Sequence, residues 1–141
     1  MKRGYYCSWM VLVLFFAGFA HVDAADSTLG AGEKPFKLVR AAMCESIESY
    51  EPKYIAAVFP IRIGRISCYS AFEGVAEKTS VQHRWYHRDE LVTSKRLTLN
   101  PPSWATYSSI QLREDDLGPW RVEIWDAQEN LVKTLRFSVV E

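Results

Sequence analysis

The sequence lacks the short motifs that mark common enzyme chemistries. No glycine-rich phosphate loop, GxSxG nucleophile elbow or HExxH zinc motif occurs among its 141 residues. Ser108 and Ser109 are tied to no histidine by any motif, and we interpret them as sheet hydroxyls. The acids Glu114, Asp115 and Asp116 lack the loop pattern of a calcium site and indicate a solvated turn. We therefore expect no catalytic residue, metal ligand or cofactor, and a protein that is not an enzyme.

The sequence also lacks an excess of charge of either sign. It holds 17 basic and 17 acidic side chains, so the formal net charge is +0 at pH 7. Nucleic-acid-binding domains need a basic face that neutralises phosphates, and anionic membranes attract clusters of basic residues. We therefore expect neither a nucleic acid nor an anionic membrane surface as a partner.

No apolar run is long enough to span a bilayer, which takes roughly 20 residues. The run at residues 9–20, WMVLVLFFAGFA, follows the basic residues Lys2 and Arg3 and is soon followed by Ala24. A basic start, a short apolar run and small residues before a cleavage point are typical of a secretory signal peptide. We predict a signal peptide at residues 1–24, cleaved after Ala24, with no stable membrane insertion afterwards. An uncleaved anchor is the alternative.

Cysteine is scarce, with three residues in the whole sequence. Cys7 lies in the predicted signal peptide, so the mature chain keeps Cys44 and Cys68. Exported proteins fold in an oxidising compartment, where such a pair favours a disulfide bond. We predict a Cys44–Cys68 disulfide, which would stabilise the fold by roughly 3 kcal/mol by closing a loop of the unfolded chain.

A convincing helical stripe of ten or more residues is also missing. Residues 25–35 are small and polar, and predict a disordered lead-in. From residue 36 onward the chain breaks into short segments of strand character separated by turn signals. Seven or eight such strands indicate an all-β fold, an antiparallel immunoglobulin-like β-sandwich forming one domain at residues 36–141. A small β-barrel is the alternative.

The alternation of apolar and polar residues predicts which side chains face the core. In residues 120–125 the apolar positions recur at every second residue, and residues 135–139 continue this pattern after a turn. The segment at residues 81–87 alternates in the same way around a tryptophan. The predicted core residues are Trp85, Trp120, Val122, Ile124 and Phe137.

Two histidines, His83 and His87, flank this tryptophan in the stretch HRWYH. Residues four apart in a strand lie about 13 Å from each other. One zinc ion binds imidazole nitrogens at about 2 Å, so a strand cannot offer both rings to it. We interpret the pair as polar neighbours at the edge and end of a strand.

Aromatic residues are abundant, with five tryptophans and seven tyrosines in the sequence. Trp125 faces away from the core in the alternating pattern, and Trp104 and Tyr107 lie together in the stretch WATY. Exposed tryptophan and tyrosine rings suit sugar rings or a protein partner, although aromatics also cover sheet edges in sandwich domains. Trp104, Tyr107 and Trp125 are therefore the candidate ligand-binding residues, with a protein or a cell-wall glycan as the suspected partner.

Three motifs occur together in a fixed order: HRWYH at residues 83–87, TYSS at 106–109, and GPWRVEIWDAQENLV at 118–132. With this order the chain resembles the bacterial domain-of-unknown-function 2914 family, over roughly residues 40–140. The resemblance implies a small β-sandwich domain, exported or attached to membrane proteins, with no assigned activity. We expect a periplasmic or secreted, non-catalytic binding or interaction module of unknown ligand. The alternative is a carbohydrate- or peptidoglycan-binding domain that uses exposed aromatics.

Overall fold

Short segments rich in β-branched and aromatic residues form two β-sheets that pack face to face. The structure is a computed structural model that describes residues 34–141. The predicted signal peptide and residues 25–33 of the predicted lead-in lie outside the described residues. Between residues 34 and 141, no helix is long and apolar enough to cross a membrane.

The described residues form nine strands and two short 3₁₀ turns, at Ile61–Ile63 and Glu114–Asp116. The strands are β1 (Lys37–Glu48), β2 (Glu51–Ile55), β3 (Val58–Pro60), β4 (Arg65–Glu73), β5 (Thr79–His87), β6 (Glu90–Leu99), β7 (Ser103–Gln111), β8 (Gly118–Asp126) and β9 (Leu131–Val140).

The predicted β-sandwich is confirmed. One sheet has the order β2-β1-β4-β7 and the other the order β3-β9-β8-β5-β6. All neighbouring strands are antiparallel except β3 and β9, which run parallel. The arrangement of β1, β4 and β7 in one sheet and β6, β5, β8 and β9 in the other follows the immunoglobulin-like strand order. In immunoglobulin domains a further strand continues the first sheet beyond the counterpart of β7. Among the described residues β7 is the edge of that sheet.

The core lies between the two sheets and contains all five residues expected there. Trp85, Val122 and Ile124 have 0% of their surface exposed, and Trp120 and Phe137 have 4% and 3%. The rings of Trp85 and Phe137 meet edge to face, with centroids 6.2 Å apart. Trp85 lies on β5, which has β8 on one side and β6 on the other in its sheet.

The predicted Cys44–Cys68 disulfide does not form in the structure, where both residues are free thiols. The register of β1 and β4 places Met43 opposite Cys68 and Cys44 opposite Ser67. Opposed residues share a face and successive residues alternate, so Cys68 points into the core and Cys44 points to the outer face of the sheet. Thiols on opposite faces cannot be bridged without moving the backbone. Burial raises the pKa of Cys44 to about 11 and the pKa of Cys68 further.

Candidate functional site

Trp125, the first of the candidate ligand-binding residues, is covered by its neighbours. It lies on the outer face of the five-stranded sheet, where the guanidinium carbon of Arg84 is 4.6 Å from the centroid of its ring. Its Nε1 donates a hydrogen bond to Glu123 Oε2 at 3.0 Å. Both the ring face and the polar atom of Trp125 are therefore already engaged within the domain.

The same outer face carries a second pair of this kind. The guanidinium carbon of Arg121 lies 4.0 Å from the centroid of the Tyr86 ring, and its Nε donates to Glu123 Oε1 at 2.8 Å. Burial by itself raises the pKa of Glu123, but hydrogen bonds from Arg121 and Trp125 outweigh it and lower that pKa. Glu123 thus links both cation–aromatic pairs into one surface whose charges and donors are largely satisfied.

The other two candidates, Trp104 and Tyr107, lie on opposite faces of β7. Trp104 is paired with Phe72, which faces the core, whereas Tyr107 is paired with Tyr69 on the outer face of the four-stranded sheet. Their exposed fractions are 42% and 50%. Together with Trp125 on the other sheet, the three aromatics occupy three different surfaces. The structure does not bring them together into one stacking platform.

The prediction that His83 lies at the edge of a strand is wrong, because its side chain is fully buried in the core. Its Nε2 lies 3.0 Å from Ser70 Oγ on β4, and its Nδ1 lies 2.8 Å from Ser108 Oγ on β7. Ser108 Oγ also accepts a hydrogen bond from Trp85 Nε1 at 3.0 Å. The network joins strands of both sheets through the core, so it holds the sandwich faces in register.

This buried network is poorly suited to nucleophilic catalysis. Burial lowers the pKa of His83 to about 4, which makes the imidazole a weak base near neutral pH. The Oγ of Ser108 is already held by Trp85, and both hydrogen-bond partners of His83 are hydroxyls. A triad of the serine-hydrolase type would need a carboxylate or similar group to orient the histidine.

His87 does not join His83 in a metal site. Its ring stacks on Trp120 with centroids 4.5 Å apart, and its Nε2 donates to the carbonyl oxygen of Leu117 at 3.0 Å. Across residues 34–141, no group of three or more histidine, cysteine, aspartate or glutamate side chains is placed to hold a metal ion.

A groove of about 830 Å³ runs along the open side of the sandwich, between β6 and β7. These strands are the edges of different sheets. On β6 it is lined by Thr93, Lys95 and Leu97, which are alternate residues of the strand and all point to its inner face, and by Val92. On β7 it is lined by the unbroken run of residues 107–111, which shows that the groove follows the edge of this strand.

The inner face of β6 is open to this groove because the four-stranded sheet ends at β7. Lys95 is opposite His83 in the register of β5 and β6, so both side chains point to the same face. His83 is fully buried, whereas Lys95 is exposed. The five-stranded sheet therefore extends past the sheet that covers it by about the width of one strand, roughly 4.8 Å.

The groove carries unbalanced positive charge. Arg65, Lys95 and Arg113 line it, are exposed, and take part in none of the salt bridges between described residues. Its one acidic side chain, Asp116, accepts a hydrogen bond from the backbone N–H of Arg113 at 2.7 Å. The lining also contains the apolar side chain of Ile110 and the half-exposed side chain of Tyr107. This arrangement suits an extended ligand that carries negative charge and some apolar groups.

Of the residues that line the groove, only Tyr107 was predicted from the sequence as a ligand-binding residue. Arg65, Lys95 and Arg113 come from separate parts of the chain and have no motif in common. The only local signal was the segment at 90–99, whose residues are largely polar or charged for a strand, as expected of an edge strand.

Comparison with protein families supports the resemblance expected from the motifs. Residues 78–139 match the model of a family described as "Protein of unknown function (DUF2914)". The match starts just before β5 and ends within β9, so it is shorter than the range expected from the motifs and leaves out β1, β2, β3 and β4. It includes Lys95, Tyr107 and Arg113 of the groove, but not Arg65. No curated protein matches the chain.

Proposed function

We propose that the protein is an exported, non-catalytic binding module whose groove between β6 and β7 takes an extended, anionic ligand. The observation that carries this proposal is the set of three cations, Arg65, Lys95 and Arg113, that line the groove and form no salt bridge with any other described residue. Export rests on the signal-peptide pattern of residues 1–24.

The shape of the groove favours a chain-like ligand. Five consecutive residues of β7 border it, which at about 3.4 Å per residue corresponds to roughly 17 Å of strand. Positive charge on the walls attracts an anionic chain, and each exposed charge pair contributes about 0.2–1 kcal/mol. Several weak charge pairs along such a length give binding that depends strongly on salt.

A neutral cell-wall glycan stacked on aromatic rings is less well supported. Sugar rings need aromatic side chains that share one surface, and Trp104, Tyr107 and Trp125 lie on three. Of these three residues, only Tyr107 borders the groove. An anionic glycan remains a ligand of the proposed class and is included in the test.

The groove can be tested by NMR titration of the mature chain with three separate probes: a glutamate-rich peptide, oligogalacturonate and a neutral chito-oligosaccharide. We expect at least one anionic probe to shift the amide signals of Lys95, Tyr107 and Arg113, with an affinity that falls as salt is added. The neutral glycan should leave these signals unchanged.

Charge-reversal variants provide the control. Lys95→Glu should weaken binding of the anionic probe about tenfold, by exchanging attraction for repulsion. Lys133→Glu makes the same charge change at an exposed residue of β9, away from the groove, and should leave binding unchanged. The proposal fails if neither anionic probe shifts the groove amides at millimolar concentration, or if both variants weaken binding equally.

Export has its own measurement. When the full-length chain is expressed in a bacterium, N-terminal sequencing of the protein from the periplasm should begin at Ala25. Recovery of the chain only in the cytoplasm with its first residue intact would rule out export.

A further inference from the structure

The two sheets differ by one strand, and the difference falls at the groove. The sheet that contains β7 has four strands, and the sheet that contains β6 has five. Building on the proposed function, we infer that the ligand is an acidic, extended peptide segment of a partner protein. This segment adds to the free edge of β7 as a fifth strand of the smaller sheet and covers the inner face of β6.

The edge of β7 offers a template of suitable length. β7 pairs with β4 along its whole extent, from Ser103 to Gln111, and no described strand pairs with its other edge. An edge strand presents backbone N–H and C=O groups that a further strand can bond. The link from β6 to β7 is only residues 100–102, and among residues 34–141 no strand occupies this position.

The side chains around the groove specify what such a strand must carry. Side chains of the added strand that point inward would meet Lys95 and Leu97 of β6 and lie beside Ile110 of β7. Side chains that point outward would lie beside Tyr107, with Arg65 nearby at the end of β4. An acidic group opposite Lys95 and an apolar group opposite Leu97 satisfy both the charge and the apolar surface.

A second copy of the chain fits this edge poorly. A two-fold contact through β7 would present the same groove, with the same cations Arg65 and Arg113, from both copies. Like charges placed together oppose such a contact. A glycan is also a weaker fit, because it has no regular series of amide groups to bond the strand edge.

The test begins with a selection of displayed random peptides on the mature chain. We expect enrichment of peptides of about five to seven residues that carry an acidic and an apolar residue two positions apart, so that both point to the same face. Upon binding of an enriched peptide, hydrogen exchange should slow at every second amide between residues 107 and 111, because alternate residues of an edge strand point their N–H groups outward. Methylation of alternate peptide nitrogens should weaken binding at least tenfold, and Lys95→Glu should do the same while Lys133→Glu does not.

The outcomes separate this inference from the function it rests on. If oligogalacturonate binds the groove but no peptide is enriched, the strand-addition inference is wrong and the anionic-ligand function stands. Peptides that bind without slowing exchange in β7, or whose binding survives nitrogen methylation, also overturn the inference. If neither peptides nor oligogalacturonate bind, both proposals fail.

Discussion

Ser108 Oγ lies 2.8 Å from Nδ1 of His83, across the core from one sheet to the other. Ser108 belongs to β7, whose free edge borders the groove, and His83 belongs to β5, a central strand of the opposite sheet. Because β6 is paired with β5, the bond also fixes the distance between β7 and β6 across the two sheets. The width of the groove depends on this buried contact.

Replacing Ser108 with alanine should destabilise the fold by about 2–4 kcal/mol. The change leaves the indole N–H of Trp85 without an acceptor and His83 with one partner, and an unsatisfied buried polar group costs about 1–3 kcal/mol. Ser109→Ala is the matched control, since it removes one partly buried hydrogen bond to Ser67 on the outer face and should cost less than about 1.5 kcal/mol. Urea unfolding of both variants measures the difference, and equal costs would contradict the role given to Ser108.

His83 should make the fold less stable as the pH falls. Burial lowers its pKa from 6.5 to about 4, so between these values the unfolded chain binds a proton that the folded chain does not. Above pH 6.5 His83 is neutral in both the folded and the unfolded chain and imposes no penalty on folding. As the pH falls from 6.5 to about 4, the free energy of unfolding decreases progressively, by about 3 kcal/mol in total.

The matched variant is His83→Gln, which keeps a polar side chain but cannot titrate. The unfolding free energy of parent and variant is measured at several pH values and subtracted. The carboxylates titrate in both proteins, so their effect cancels in the difference. A difference that stays constant from pH 7 to pH 4 would contradict the burial of a neutral His83.

Two tryptophans should respond differently to truncation. Trp85→Ala should cost about 3–5 kcal/mol, because the side chain is fully buried and leaves a large cavity. Trp125→Ala should cost about 1 kcal/mol, chiefly from the lost contact with Arg84 on the outer face. Thermal or urea melts distinguish the two, and a Trp85→Ala protein as stable as the parent would refute the assignment of the core.

The two cysteines should behave as protected thiols. Burial covers both and raises both pKa values, so the reactive thiolate is scarce at neutral pH. Iodoacetamide should leave the native mature chain unmodified and alkylate both Cys44 and Cys68 after unfolding. A non-reduced mass showing that the thiol hydrogens are lost would restore the disulfide.

Face assignments within one strand could be predicted from the sequence. Every second residue from Trp120 to Ile124 lies in the core because a strand fixes the alternation of its own side chains. Relations between strands could not be predicted in this way. Whether Cys44 and Cys68 share a face depends on the register of β1 against β4, and a shift of one residue reverses the answer.

The candidate site was harder to predict than the fold for the same reason. Trp104 and Tyr107 are three residues apart, so their opposite faces were readable from alternation, but the sheet that each face meets was not. The openness of the groove around Lys95 depends on the number of strands in the facing sheet. No local pattern around Lys95 contains that information.

The parallel pairing of β3 with β9 has a consequence for the order of folding. Val58 and Ser138 are partners although 80 positions (138 − 58) separate them in the chain. Closing so long a loop costs more chain entropy than closing the β5–β6 or β8–β9 hairpin, whose partners are adjacent strands. Domains dominated by distant pairings fold in milliseconds to seconds. We therefore expect the hairpins to form first and the burial of Phe59 by Phe137, which requires β3 on β9, to complete the folding reaction.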